Sequence, residues 1–224
     1  MSKYKTVIYN ANLITMDDEN KVIDNGYLVF VDGLIQSLGT GIPEMDEYTD
    51  SIDANGGLVT PGLINCHTHA PMSLFRGLGD DEPDRLKRFI FPLEAKYVSP
   101  EFVRTGTALS CVEMLLGGTT CFADMYFFEE EVAATASELG IRVLAGQTLM
   151  NRATPDAATI EDAFTRAVNF CEDWNSDDLV IPCLAPHAPY SLDTKQLKHV
   201  KNVANDLGVK IQMHVAESQF EIEY

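Results

Sequence analysis

The chain has 224 residues, and its 34 acidic residues outnumber its 16 basic residues, which gives a formal net charge of −18 at pH 7. This excess of negative charge repels phosphate backbones and anionic lipid headgroups, so we expect neither nucleic acid nor a membrane as a partner. The length and the hydrophobic content of 46% are sufficient for one large domain or two small ones.

The N-terminal residues and the cysteines both indicate a cytoplasmic protein. The start of the chain lacks the uninterrupted apolar segment of a secretory signal, and no apolar stretch approaches the roughly 20 residues of a membrane span. The five cysteines are scattered, include no Cys-x-x-Cys pair and lie mostly in apolar segments, as reduced buried thiols do. We therefore expect a cytoplasmic location without a disulfide framework.

The first 57 residues are predicted to form a small all-β unit. Residues of high β propensity alternate with turns that are rich in Asp, Asn and Gly. Strands are predicted at 6–10, 12–16, 26–31 and 34–38. A unit of this size is too short to bury both faces of a sheet by itself.

From Leu58 onward, predicted strands and helices alternate. A first strand runs from Leu58 to the sequence His-Thr-His, and further strands are predicted at 119–125, 141–149, 179–185 and 209–216. Helices are predicted at 100–117, 129–139, 159–174 and 194–207. Nearly continuous apolar strands separated by helices indicate a parallel α/β sheet with helices on its faces. A (β/α)₈ barrel needs eight strands and about 250 residues, so we expect residues 58–224 to hold the first five βα units of an incomplete barrel.

Polar residues cluster at the C-terminal ends of these strands, where parallel α/β folds place their catalytic groups. His67 and His69 lie two residues apart in a strand, so both imidazoles point the same way and can share a metal ion. His214 lies near the C-terminal end of the fifth strand and is the natural third ligand, while Asp124 lies near the end of the second. Neutral imidazoles suit Zn²⁺ or Fe²⁺, so we predict one divalent metal, with zinc first and iron as the alternative.

Glu217 lies three residues after His214. A metal ion lowers the pKa of bound water towards neutrality, and a carboxylate beside it can take the proton and deliver it elsewhere. Most glutamates that follow strands are simply solvated, but we favour the catalytic role for this one. His187 lies between two prolines that stiffen the strand end, and a loop position without function is an equal alternative for it.

These segments resemble the amidohydrolase superfamily, in particular its cytosine-deaminase-like and chlorohydrolase group and, within it, 5-methylthioadenosine/S-adenosylhomocysteine deaminases. The similarity extends over essentially the whole chain. It rests on the segments 8–17, 61–69, 91–94, 117–120, 186–191 and 214–217.

The resemblance implies a TIM-type (β/α)₈ metal-dependent hydrolase barrel, incomplete after about strand 5, preceded by a small β-sandwich domain. Residues 1–57 would be the N-terminal part of that composite domain. The metal ligands would be His67, His69 and His214, and Glu217 would be the proton shuttle that also contacts the purine. Further substrate contacts are implied for Glu94 (ribose hydroxyls), Arg152 (a substrate carboxylate) and His187.

The implied reaction is attack of metal-bound hydroxide on an aromatic ring carbon that bears an amino group, followed by loss of ammonia. Guanine, cytosine or a chlorinated triazine are alternative substrates on the same scaffold. The segment 180–184 contains no lysine, which argues against members that bridge two metals with a carboxylated lysine. A non-enzymatic alternative is an incomplete fragment with no catalysis of its own, which binds metal weakly or serves only as a folding partner. The expected protein partners are a second copy of the chain or a complementing C-terminal segment.

We predict that the 224-residue polypeptide alone has no deaminase activity. Members of the resembling family use a further histidine at the sixth strand and an aspartate at the eighth, and the five predicted strands include neither. An assay of ammonia release by the purified chain with added Zn²⁺ tests this expectation. Measurable release would contradict it. A polypeptide that carries the remaining strands should restore activity if the two parts associate.

Overall fold

The computed structural model of the protein describes residues 4–46, 49–82, 84–217, 219 and 221. The chain forms two compact units, Met1–Gly62 and Leu63–Tyr224. The first unit ends five residues after the boundary at residue 57 that the sequence predicted, because Leu58–Val59 pairs with a strand of the first unit.

The first unit contains one five-stranded mixed sheet with the order β3-β2-β1-β4, and β5 also pairs with β1. Its strands are β1 (Lys5–Ile14), β2 (Val22–Val31), β3 (Leu34–Thr40), β4 (Thr49–Asp53) and β5 (Leu58–Val59). The strands predicted at 6–10 and 12–16 are one strand, β1. A bulge after Ile8, where Asn10 adopts a φ of 52°, lets both halves of β1 pair with β2.

The second unit contains a five-stranded sheet in the order β6-β7-β8-β9-β10, and every neighbouring pair is parallel. Its strands are β6 (Leu63–Thr68), β7 (Thr119–Tyr126), β8 (Arg142–Leu149), β9 (Val180–Pro186) and β10 (Lys210–Ile211). Its helices are α1 (Phe91–Tyr97), α2 (Pro100–Leu116), α3 (Glu129–Leu139), α4 (Ile160–Trp174) and α5 (Thr194–Leu207). Consecutive parallel strands connected by helices confirm the predicted α/β fold with its β-rich N-terminal part and its parallel sheet.

The helices begin and end where local sequence signals place them. Helix α4 starts after Thr159, which forms a capping box with Asp162. Helices α3 and α5 have the predicted bounds, because Gly140 and Gly208 end them with φ values of 75° and 69°. Three short turns accompany these helices, two of 3₁₀ type at Ala70–Phe75 and Pro189–Ser191 and one of π type at Leu86–Ile90.

Several predicted strand bounds are wrong, among them the start of β2, which is Val22 and not residue 26. The strand predicted from Leu58 is interrupted, and β6 begins only at Leu63. The fifth strand was predicted at 209–216, but regular pairing covers only Lys210–Ile211. Beyond it the chain still follows β9, because the N–H groups of Gln212 and His214 donate to the carbonyls of Leu184 and His187. Within the described residues, β10 pairs only with β9, so its other edge has no neighbouring strand.

The core of the second unit is built from β7–β9 and helices α2–α5. Its fully buried side chains include Phe122, Val132, Val143, Leu184 and Val200. This packing holds the C-terminal ends of the strands, and the polar residues on them, in fixed relative positions. Within the part of the chain that the structure describes, no helix has the length and apolar character that crossing a bilayer requires.

Candidate metal centre

The three histidines predicted to bind a metal converge on one point. His67 and His69 come from the C-terminal end of β6, and His214 follows β10. One ring nitrogen of each lies within 4.8 Å of the others. The ring centroids are 5.0–5.1 Å apart in all three pairs, so the rings form a nearly equilateral triangle. All three imidazoles can therefore reach a single ion.

Backbone carbonyls determine which nitrogen of two of these rings carries the hydrogen. Nδ1 of His69 lies 2.5 Å from the Met125 carbonyl oxygen, and Nδ1 of His214 lies 2.9 Å from that of His187. A carbonyl oxygen only accepts, so each Nδ1 donates, and each Nε2 of the neutral rings presents a lone pair.

The two Nε2 atoms are 3.3 Å apart. Two lone pairs that face each other at this distance repel unless a cation lies between them. Zinc–nitrogen bonds of about 2.0–2.1 Å suit this separation. The donor set therefore fits a divalent metal ion, and the carbonyl partners orient its ligands as they do in known metal sites.

The surroundings of the ligands favour the neutral imidazoles that bind metals. Burial lowers the pKa of His69, and the nearby His214 ring lowers it further. Burial also lowers the pKa of His67, as do the two other rings. Loss of the competing proton leaves the ring nitrogens available to an ion near neutral pH.

One cavity of about 220 Å³ brings together every residue that the sequence assigned to the site. They are His67, His69, Glu94, Arg152, His187, His214 and Glu217. Apolar side chains, among them Met72, Ile90 and Met150, line the rest of the wall. The co-location of these residues is observed, whereas their individual roles stay predictions.

Glu94 lies on α1 and is only 6% exposed. Burial raises the pKa of this carboxyl to about 7, although the Tyr126 hydroxyl and the Arg152 charge act in the opposite direction. The Arg152 guanidinium lies over the ring of Phe91, with Cζ 4.2 Å from the centroid. Glu94 and Arg152 thus form a polar end of an otherwise apolar cavity.

His187 contributes to the site with its ring and with its backbone. Its ring lies 5.0 Å from that of His214, and burial, together with the neighbouring His214, lowers the pKa of His187 to about 4. Among the described residues, its buried Nδ1 atom has no hydrogen-bond partner. Its carbonyl accepts both the backbone N–H and the ring N–H of His214. The proline-flanked sequence indicated the first contribution but not the second.

Glu217 follows a tight turn. Ala216 adopts a φ of 62°, and the carboxylate of Glu221 accepts the N–H groups of both Ala216 and Glu217. The hydroxyl of Tyr190 donates a 2.8 Å hydrogen bond to Oε2 of Glu217. Sequence reasoning missed Tyr190, for which the only signal was its place three residues after His187, the histidine that follows β9.

Comparisons with known proteins agree with this geometry. The sequence model of the amidohydrolase family matches residues 58–224. The 5-methylthioadenosine/S-adenosylhomocysteine deaminase of Thermodesulfovibrio yellowstonii is 43% identical, and the alignment covers 98% of this chain and 52% of that protein. A 5'-deoxyadenosine deaminase of Methanopyrus kandleri is 38% identical, with 94% and 49% covered. The chain therefore spans about half the length of the curated relatives it matches.

Solved structures give a similar result. An adenosine deaminase from Xanthomonas campestris with bound zinc has a TM-score of 0.85 and 32% identity, and the match covers 97% of this chain and 51% of that one. A guanine deaminase from C. acetobutylicum has a TM-score of 0.84 at 20% identity, with 97% and 54% covered. At that identity the second likeness supports the fold alone.

We predict that His69→Ala abolishes high-affinity zinc binding. Wild-type chain should bind one zinc ion, because three lone pairs converge there. Removal of one of the three ligands should lower the affinity by at least about 100-fold. Elemental analysis and competition with a chelator measure this, with the exposed His199→Ala as the matched control. Unchanged zinc content in His69→Ala would contradict the metal centre.

We also predict that Glu94 destabilises the fold above neutral pH. Its folded-state pKa of about 7 exceeds the unfolded value near 4.3, so the folded state binds more protons between these values and stability falls as the pH rises. Glu94→Gln should therefore raise the free energy of unfolding at pH 8 by about 1–3 kcal/mol and change little at pH 4. Urea unfolding at both pH values tests this, and the exposed Glu101→Gln should show no such difference.

Proposed function

This chain belongs to the amidohydrolase family, and we propose that it carries the metal site of a hydrolase that deaminates an adenine-type nucleoside. The observation that carries the proposal is the convergence of three imidazoles at the wall of a cavity that Glu217 also lines. The names of the relatives support the substrate class, since they are deaminases of 5-methylthioadenosine, S-adenosylhomocysteine or 5'-deoxyadenosine.

We propose that His67, His69 and His214 hold one divalent ion, with zinc first and iron as the alternative. The zinc in the solved adenosine deaminase supports this order. When bound, such an ion lowers the pKa of water and supplies a nucleophile at neutral pH. The chain's own contribution is to orient the rings of His69 and His214 through backbone carbonyls, so that each directs its Nε2 atom towards the ion.

Glu217 would move the protons of the reaction. Its carboxylate lines the cavity together with His214 and can take a proton from the attacking water. It can then deliver that proton to a ring nitrogen or to the departing amino group, so that ammonia leaves as a neutral molecule. Tyr190 donates to Oε2, so the proton would travel through Oε1.

The remaining predicted residues would bind the nucleoside. The Glu94 carboxylate would accept hydrogen bonds from the ribose hydroxyls, and Arg152 would contact a substrate carboxylate. His187 is neutral at physiological pH because its pKa is lowered to about 4. Its ring could therefore donate or accept a hydrogen bond without adding a buried charge. The apolar wall would exclude water from the aromatic base and strengthen these polar contacts.

A guanine, cytosine or triazine hydrolase on the same scaffold is the second candidate. Guanine deaminase and triazine hydrolase are among the similar structures, at 20% identity, and they share the fold with this chain. The substrate names of relatives at 38–43% identity favour the adenine-type nucleoside instead. The non-enzymatic alternative is a polypeptide that binds metal and acts only together with a complementing segment.

Two further predictions from the sequence are proposals of the same kind. We propose a cytoplasmic location, which the five free cysteines support. We also propose that the chain pairs with a second copy or with a complementing segment, because exposed Leu63, Ile64 and Ile211 lie on the two outer strands of the parallel sheet.

We predict that Glu217→Gln lowers kcat by about 10²–10⁴-fold in the enzyme reconstituted with the complementing polypeptide. The amide is nearly isosteric but cannot carry the proton, so zinc content and fold should stay unchanged. Ammonia release from 5-methylthioadenosine measures the effect. Tyr190→Phe, which leaves the carboxylate in place, should lose less than about 10-fold.

The same assay separates the candidate substrates. We expect 5-methylthioadenosine to give a higher kcat/KM than guanine or a chlorinated triazine. A Glu217→Gln enzyme with full activity would contradict the proton-transfer role. Preferential hydrolysis of guanine or the triazine would move the assignment to the second candidate.

A further inference from the structure

One buried carboxylate joins two segments that lie beside the candidate metal centre. Asp156 belongs to the loop between β8 and α4, and its side chain is 0% exposed. Burial of a carboxylate is costly unless hydrogen bonds satisfy its oxygens. The reaction proposed above assigns no role to Asp156, so its burial requires a separate explanation.

Both carboxyl oxygens of Asp156 accept hydrogen bonds. Oδ2 accepts the backbone N–H of Phe128 at 2.9 Å and the side-chain amide of Gln147 at 2.8 Å. Oδ1 accepts the hydroxyl of Thr154 at 2.8 Å. The guanidinium of Arg166 adds an opposite charge, with Nε 3.9 Å from Oδ2. The carboxylate thus joins the residue before α3, strand β8 and the loop after β8.

The turn between β7 and α3 has a strained backbone that this contact stabilises. Phe128 is the N-cap residue of α3 and adopts a φ of 54° and a ψ of 46°, the left-handed region that bulky residues rarely occupy. Its N–H is the group that donates to Asp156. Its ring also lies beneath the guanidinium of Arg166, with Cζ 5.4 Å from the centroid. The segment after β7 is therefore held against both Asp156 and α4.

The loop after β8 folds tightly around the same residue. The N–H of Thr154 donates to the Ala157 carbonyl at 2.8 Å, and the N–H of Ala157 donates back at 3.4 Å. These bonds close a four-residue turn that has Pro155 at its second position, where proline is favoured. The carbonyl of Asp156 also accepts Nε–H of Arg166 at 3.2 Å. Asp156 is thus anchored through its backbone as well as its side chain.

The two joined segments form one wall of the cavity. The end of β7 and the residue after it contribute Met125, Tyr126 and Phe127, and the end of β8 with its loop contributes Thr148, Met150 and Arg152. A second cavity of about 160 Å³ adjoins this wall and is lined by Phe127, Arg152, Thr154 and Pro155, among others. The turn that holds Asp156 therefore borders the space around Phe127 and Arg152.

We propose that Asp156 is a positioning residue for substrate binding. Its carboxylate locks the turn before α3 to the loop after β8 and so keeps Phe127 and Arg152 in the arrangement that receives the nucleoside. The role in binding rests on the proposed function, whereas the lock between the two segments does not.

The candidate metal centre does not depend on this lock. The three imidazoles come from the ends of β6 and β10 and not from the two joined segments. The carbonyl that orients His69 belongs to Met125, which is paired with Gly146 inside the sheet. A variant of Asp156 should therefore change nucleoside binding and leave metal binding intact. General loosening of the fold would weaken both.

Amide hydrogen exchange tests the lock without any ligand. In Asp156→Ala the N–H of Phe128 loses its acceptor, so its exchange rate should rise by at least about 10-fold. The exposed Asp178→Ala is the matched control and should leave this rate unchanged. An equal exchange rate of Phe128 in the Asp156→Ala variant and the parent chain would overturn the lock.

The affinities of the 224-residue chain for adenosine and for zinc test the role in binding. Asp156→Ala should bind adenosine about 10-fold more weakly in the presence of zinc, while its zinc affinity stays within about threefold of the parent. Asp156→Asn can still accept from Phe128 and Gln147, so its adenosine affinity should stay within about threefold. Equilibrium dialysis measures both ligands, again with Asp178→Ala as the control. Unchanged adenosine affinity in Asp156→Ala, or an equal loss of both affinities, would overturn the role.

A second variant covers a folding failure of Asp156→Ala. Thr154→Val removes the hydroxyl that donates to Oδ1 with little change in shape. It should bind adenosine about 3–10-fold more weakly with unchanged zinc affinity, and adenosine affinity equal to the parent's would overturn the role. Failure of the proposed function is distinguishable. A parent chain that binds no adenosine would contradict the nucleoside substrate and the binding role together, while the exchange rate of Phe128 would still report the lock.

Discussion

The carbonyl oxygens of Met125 and His187 determine what the histidine cluster can bind. Each accepts the Nδ1 hydrogen of one ligand ring and so directs a lone pair towards the other ligand. Without a cation, the two Nε2 atoms at 3.3 Å would repel each other. The fold sustains this arrangement because both carbonyls belong to strand ends of a packed parallel sheet. The geometry of the candidate metal site thus depends on the sheet and not only on the three imidazoles.

His69 and His214 are each oriented by a carbonyl from the neighbouring strand or the residue after it. The ligand at the end of β6 is oriented by a carbonyl of β7, and the ligand after β10 is oriented by the residue that follows β9. Asp124 on β7 accepts hydrogen bonds from the Thr68 hydroxyl and from the backbone N–H of Ala70, the residues on either side of His69. In a parallel sheet the strand ends lie side by side at one edge, so each ligand is within reach of polar groups from the adjacent strand.

The sequence predicted the features that depend on local patterns. The spacing of His67 and His69 gave two ligands on one face, and glycines at the helix ends gave the bounds of α3 and α5. The fifth strand was predicted too long, because its pairing depends on a neighbouring strand that no local pattern reveals. The burial of Glu129 was not predicted, because this residue opens a run of three glutamates, which is typical of a solvated helix start. Only packing in the folded chain distinguishes the buried Glu129 from the two glutamates that follow it.

Three buried acids lower the stability of the strand ends that form the candidate site. Glu94, Asp124 and Glu129 all have raised pKa values because burial disfavours their charged forms. Each one therefore costs folding free energy that packing in the core must offset. A cation held by the three imidazoles would bind only the folded state. Its binding would therefore stabilise the fold and offset part of this cost. Metal binding and the folding of the strand ends are then coupled, since the same hydrogen bonds orient the ligands and hold the strands together.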